Sequence, residues 1–139
     1  MISCLEICDS GKVEGFGRYE VLPPEELASG KPRKVQVYCE LQNFKSDLND
    51  QGKYLTRLKA EITLYDANWR VKAQLAGDVP DVPSYRPRRD FFLRAALDIP
   101  ALAPGKYQLE VRIEDTVAKK IARPLRRDFE VKAPTNYVR

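Results

Sequence analysis

From Lys106 to Ile113 apolar and polar side chains alternate without a break, with Tyr107, Leu109, Val111 and Ile113 on one face and Lys106, Gln108, Glu110 and Arg112 on the other. A period of two is that of an antiparallel strand with one face buried. The same alternation recurs at Val35, Val37, Cys39 and Leu41, at Leu58, Ala60, Ile62 and Leu64, and at Phe91, Leu93, Ala95, Leu97 and Ile99. Shorter runs predict strands over Val13 to Leu22, where Gly15 and Gly17 suit a bulge, at Val71, Ala73 and Leu75 after a tight turn at Asp66-Ala-Asn-Trp69, and around Leu125, Phe129 and Val131. Pro23-Pro24, Pro100 and Pro134 stop their segments. About seven strands with turn signals between them and no segment of helical period predict an all-β chain folded as a single antiparallel β-sandwich.

One corner narrows the class. Pro104-Gly105 supplies a fixed φ followed by a residue free to turn, and Tyr107 stands two residues after the glycine. This order resembles the corner between strands E and F of immunoglobulin-like and fibronectin type III-like sandwiches, and the resemblance implies that the Tyr107 hydroxyl bonds to upstream backbone. A hairpin tyrosine in another antiparallel fold is the alternative. Together with Gly15-Phe-Gly-Arg-Tyr19 and Arg89-Asp-Phe-Phe92, the corner is also similar to bacterial domains that close longer secreted or envelope-associated chains, a likeness that carries no function with it. The expected organisation is an N-terminal segment over 1–12, the sandwich over 13–133 and a tail over 134–139. If the chain is excised from a longer one its compartment is the envelope or outside the cell, and otherwise the cytoplasm.

Composition removes several functions. At 139 residues the chain is one domain with room for a core that needs no staples. No apolar run approaches the roughly 20 residues of a membrane helix, so no membrane insertion is expected. There is no histidine, which takes away the commonest general base and metal ligand, and no glycine-rich loop opens a helix to cradle phosphate. Glu61 and Glu110 are the paired-carboxylate candidates, and alternation places both toward solvent, so no enzyme and no cofactor are expected. Three cysteines with neither zinc nor redox spacing argue against a disulfide framework; Cys39 shares the apolar face of its strand, and a bridge to it from Cys4 or Cys8 is the alternative. Asp47-Leu-Asn49-Asp-Gln51-Gly52 begins like a calcium loop, but Leu58 takes the place of the bidentate glutamate; a looser calcium site through Asp47 and Asp50 stays open. The net charge of +4 is spread among acidic residues rather than gathered, which argues against nucleic acid.

Binding is the remaining class, with another protein or a neighbouring domain as the expected partner and carbohydrate as the alternative. Tyr38 and Phe92 fall on outward faces and Trp69 on a turn, where sugars stack; cover by the N-terminal segment around Leu5 and Ile7 is the competing expectation for the outward face. In a sandwich of this type the connections Asn43 to Lys53, Gly77 to Asp90 and Glu114 to Ala122 emerge at one end. That end makes Tyr85, Arg86 and Arg88 the candidate partner-binding residues of a non-catalytic interaction or spacer domain.

Overall fold

The computed structural model describes residues 2–22, 31–42, 44–79, 84–86 and 90–132. The strands are β1 (Ile2–Gly15), β2 (Arg18–Val21), β3 (Arg33–Gln42), β4 (Ser46–Leu48), β5 (Tyr54–Thr56), β6 (Leu58–Asp66), β7 (Val71–Asp78), β8 (Asp90–Ile99), β9 (Gly105–Asp115), β10 (Lys120–Ile121) and β11 (Leu125–Val131). One sheet runs β2-β1-β3-β8; the other runs β7-β6-β9, with β10 and β11 both on the far edge of β9, and β4 with β5 forms a separate hairpin. Every pairing is antiparallel. The β-sandwich read from the alternation is therefore the fold.

The two sheets close on one core, to which Ile7, Val37 and Leu97 contribute from the first and Ile62, Leu109 and Val111 from the second. Apart from Ile7, these are residues that alternation turned inward, and burying each such side chain contributes about 1.5–3 kcal/mol. Cys39 belongs to this core, and all three cysteines are free.

The first strand departs from the sequence expectation. It begins at Ile2, not near Val13, and its register sets Leu5 opposite Cys39 and Ile7 opposite Val37, so residues 2–12 are part of the sheet rather than a segment ahead of it. The polar stretch Asp9-Ser-Gly-Lys12 breaks the apolar pattern, but ladder hydrogen bonds are made by backbone and need no apolar side chain.

The outward aromatics of the first sheet are also corrected. Tyr38 is wholly buried rather than exposed, stacked on Tyr19 at 4.2 Å and on Phe92 at 5.9 Å between ring centroids, and packed with Cys8 and Val13 in a second small cluster. Its hydroxyl accepts from the Gly17 N–H at 2.7 Å and donates to Glu40 Oε2 at 3.1 Å, so it ties the β1–β2 turn to the sheet. Leu5 and Ile7 lie in the main core; the cover comes from Tyr19 and Val13.

The three long connections do meet. Lys45 N–H donates to Asp115 Oδ2 at 2.8 Å, Thr116 N–H to Arg57 O at 2.9 Å, and Tyr54 N–H to Ser84 O at 2.6 Å. Asp115 is fully buried and also accepts from Ala118 N–H at 3.1 Å, so its carboxylate fastens the connections together.

At the opposite end the Tyr107 hydroxyl donates to Ala103 O at 2.6 Å, the bond the corner resemblance implied. Tyr107→Phe is expected to lower the unfolding free energy by about 1 kcal/mol in chemical denaturation, and an unchanged midpoint would reduce this bond to ornament. The Cys39 thiol is fully buried and pushed up to about 12, and Cys8 up to about 11, both chiefly by burial. A thiol reagent on the native protein is expected to modify half-buried Cys4 first and to reach Cys8 and Cys39 only on unfolding; fast labelling of Cys39 would mean that the faces of β3 are reversed.

Candidate functional site

The turn between β6 and β7 is built by Asp66. Its Oδ1 accepts from the N–H groups of Asn68 at 2.8 Å and Arg70 at 2.9 Å, while Trp69 N–H bonds to Asp66 O at 3.0 Å. The Arg70 N–H, and after it that of Asn68 and the Lys72 charge, hold the Asp66 carboxyl below its ordinary range. This turn closes with Trp69 at φ 61°, a left-handed conformation that glycine or asparagine adopts readily and a bulky side chain does not. The Trp69 side chain is nonetheless out in solvent, 58% exposed. Tyr65 meets it edge to face at 5.6 Å, and the Arg126 guanidinium lies over its ring at 5.6 Å.

Arg126 is itself held. Its Nε donates to Glu110 Oε2 at 2.8 Å, and Arg112 Nε donates to Glu110 Oε1 at 2.6 Å. Glu110, expected in solvent, is only 3% exposed, because Thr63 of β6 and Arg126 of β11 stand directly opposite it on either side. Glu61 is exposed as expected, and its Oε1 accepts from Gln74 Nε2 at 3.3 Å. Burial pushes the Glu110 carboxyl up, but the hydrogen bonds and charges of Arg112 and Arg126 outweigh it and leave the group below its ordinary value.

Beside Trp69 opens a groove of about 510 Å³, walled by Trp69, Tyr107, Phe129, Gln108, Asp128 and Glu130 among others. Tyr107 stacks on Phe129 at 5.8 Å, which makes the corner a wall of the groove. Gln108 Nε2 donates to Asp128 Oδ1 at 2.7 Å, fixing the polar floor.

The sequence-selected residues are not one site. Tyr38 and half-buried Phe92 are on the other sheet. Tyr85, 76% exposed with the Lys53 ammonium 5.2 Å above its ring, and exposed Arg86 lie at the long-connection end, away from Trp69; Arg88 lies outside the described residues. Asp47 pairs with Arg57 at 3.6 Å and Asn49 Oδ1 is taken by the N–H groups of Gln51 and Lys53. Among the described residues no cluster of three or more carboxylates and thiols gathers for a metal, and no helix is long and apolar enough to cross a membrane. Arg126, Gln108 and Asp128 escaped sequence reasoning as site residues, and Glu110 was weighed only as half of a carboxylate pair, since only the β9–β11 register brings Arg126 opposite Glu110 and Asp128 opposite Gln108.

No family model and no curated protein sequence matches the chain. Among solved structures it is similar to a β-glucuronidase from glycoside hydrolase family 2, with 15% identity and a TM-score of 0.52 over 74% of this chain and 10% of that enzyme. A protein assigned as a β-galactosidase from Bacteroides fragilis aligns with 15% identity and a TM-score of 0.46 over 73% of this chain and 14% of its own. The chain thus spans about a tenth of the first enzyme, and what it shares with it is a β-sandwich fold.

Glu110→Gln is expected to lower stability at neutral pH by about 1.5–3 kcal/mol, the range for hydrogen bonds to a charged group. Because the folded carboxyl sits below its ordinary value, this stabilisation is complete above the usual glutamate pKa near ~4.3 and is lost as pH falls through the folded value. Denaturant midpoints of parent and variant should therefore converge in acid; a gap that persists there would mean the charge is not what Arg112 and Arg126 contribute to.

Proposed function

We propose that this chain is a non-catalytic, immunoglobulin-like accessory domain of a larger protein and that its contact surface is the Trp69 groove. The observation that carries the reading is Trp69 itself, a bulky exposed ring kept at φ 61° where glycine would be more stable. A left-handed backbone costs an ordinary residue about 1–2 kcal/mol, and such costs persist mainly where a side chain is needed in place. The non-catalytic part is supported by the absence of histidine, by buried thiols raised well above neutrality and by a Glu110 carboxylate committed to two arginines.

Carbohydrate is a second reading, favoured by an exposed aromatic ring beside polar side chains and in keeping with the fold shared with a small part of a β-glucuronidase. The Tyr85 end remains a candidate surface for a neighbouring domain, since its exposed ring carries the Lys53 ammonium above it at the protein surface.

Substitution at one position separates fold from function. Replacing Trp69 loses its contacts with Arg126 and Tyr65, each about 0.5–1 kcal/mol, but only glycine also removes the backbone strain. Trp69→Gly is therefore expected to unfold at a higher midpoint than Trp69→Ala, within about 1 kcal/mol of the parent, while losing binding to insoluble polysaccharide or to the neighbouring domains of the longer chain. If Trp69→Gly keeps every interaction the parent makes, the groove is not the contact surface.

A further inference from the structure

Resting on the reading of this groove as the contact surface, we infer that its ligand is a neutral pyranose, stacked on Trp69 and hydrogen-bonded through its hydroxyls to Asp128 and Glu130. Three features of the groove point to it. The first is the ring: Trp69 lines the groove with much of its surface exposed, and it is steadied by Tyr65 at its edge and by a guanidinium, Arg126, that Glu110 fixes. A preset aromatic surface matches the apolar C–H face of a sugar at little cost in conformational entropy.

The second is the balance of donors and acceptors. Gln108 Nε2 holds Asp128 through Oδ1, which orients the carboxylate and leaves acceptor capacity for hydroxyl donors. Glu130 stands next along the same face of β11. The third is charge: among the lining residues Asp66, Asp128 and Glu130 stand against Lys106, and although Lys72 pairs with Asp66 at 3.8 Å, the Asp128 and Glu130 carboxylates offered to the ligand disfavour a uronate or another anionic sugar. The volume of about 510 Å³ is in the range of small-molecule sites.

Trp69 is the only tryptophan in the chain, so its fluorescence reports on this groove alone. Titrate the protein with cellohexaose, xylohexaose and β-1,4-galactohexaose as neutral probes and with hexagalacturonate as the anionic one. The expected result is a saturable emission change with at least one neutral probe, weakened roughly tenfold or more in Asp128→Ala, and none with hexagalacturonate. Should Asp128→Ala fail to fold, Asp128→Asn keeps the shape and is expected to weaken the same probe in the same direction. Silence with all neutral probes, or a response to hexagalacturonate as strong as to them, overturns the assignment. If the oligosaccharides are silent but Trp69→Gly still abolishes binding to the neighbouring domains, the ligand class falls and the contact surface stands; if Trp69→Gly abolishes nothing, both fall.

Discussion

Strand β9 is hydrogen-bonded along both of its edges, to β6 on one side and to β10 and β11 on the other, so each of its faces is flanked by side chains from both neighbours. The inner face is filled by Leu109, Val111 and Ile113. The outer face would be an ordinary solvated one if its neighbours were small. Instead Thr63, Arg112 and Arg126 cover Glu110, and a carboxylate enclosed in this way is tolerable only because two guanidinium groups donate to it. Central pairing thus turns a polar position of the alternation into a buried charge, and the charge in turn fixes the side chains around it.

A short chain of constraints runs from that charge to the end of the sheet. Glu110 holds Arg126, Arg126 sits over Trp69, and Asp66 shapes the turn that presents Trp69 in a conformation its own backbone disfavours. Local strain of this kind is a stability cost that folding selects against unless something else requires the side chain there. The same end holds the Tyr107 hydroxyl bond and the Tyr107–Phe129 stack, so the groove has rigid walls on strands and a corner rather than on long loops. Rigid placement is what a binding surface needs if affinity is not to be lost in ordering side chains.

The first sheet handles its outward aromatics in the opposite way. Tyr38, Tyr19 and Phe92 stack on one another, and the Tyr38 hydroxyl pins the β1–β2 turn, so rings that could have formed a surface are consumed in closing one. Phe16 on the β1–β2 turn, Tyr85 at the long-connection end and Trp69 at the corner end are left as exposed rings, the last two separated by the length of β6.

Much of this architecture is dictated by side-chain period alone. Alternation at Val35 to Leu41, Leu58 to Leu64 and Tyr107 to Ile113 determines strand, face and inward residues together, because a one-residue slip would turn every apolar group to water. Pro104-Gly105 with Tyr107 determines the corner, whose bond spans four residues and is thus local. Tertiary structure decides what depends on pairings distant in the chain. Ile2 to Asp9 finds β3, Tyr38 is covered by Tyr19 and Val13 from a hairpin far back in the sequence, and Arg126 arrives opposite Glu110 only through the β9–β11 register. Hydrophobic period records which side of a strand faces the core; it carries no information about which strand lies next to which, and the Trp69 groove is made from that adjacency.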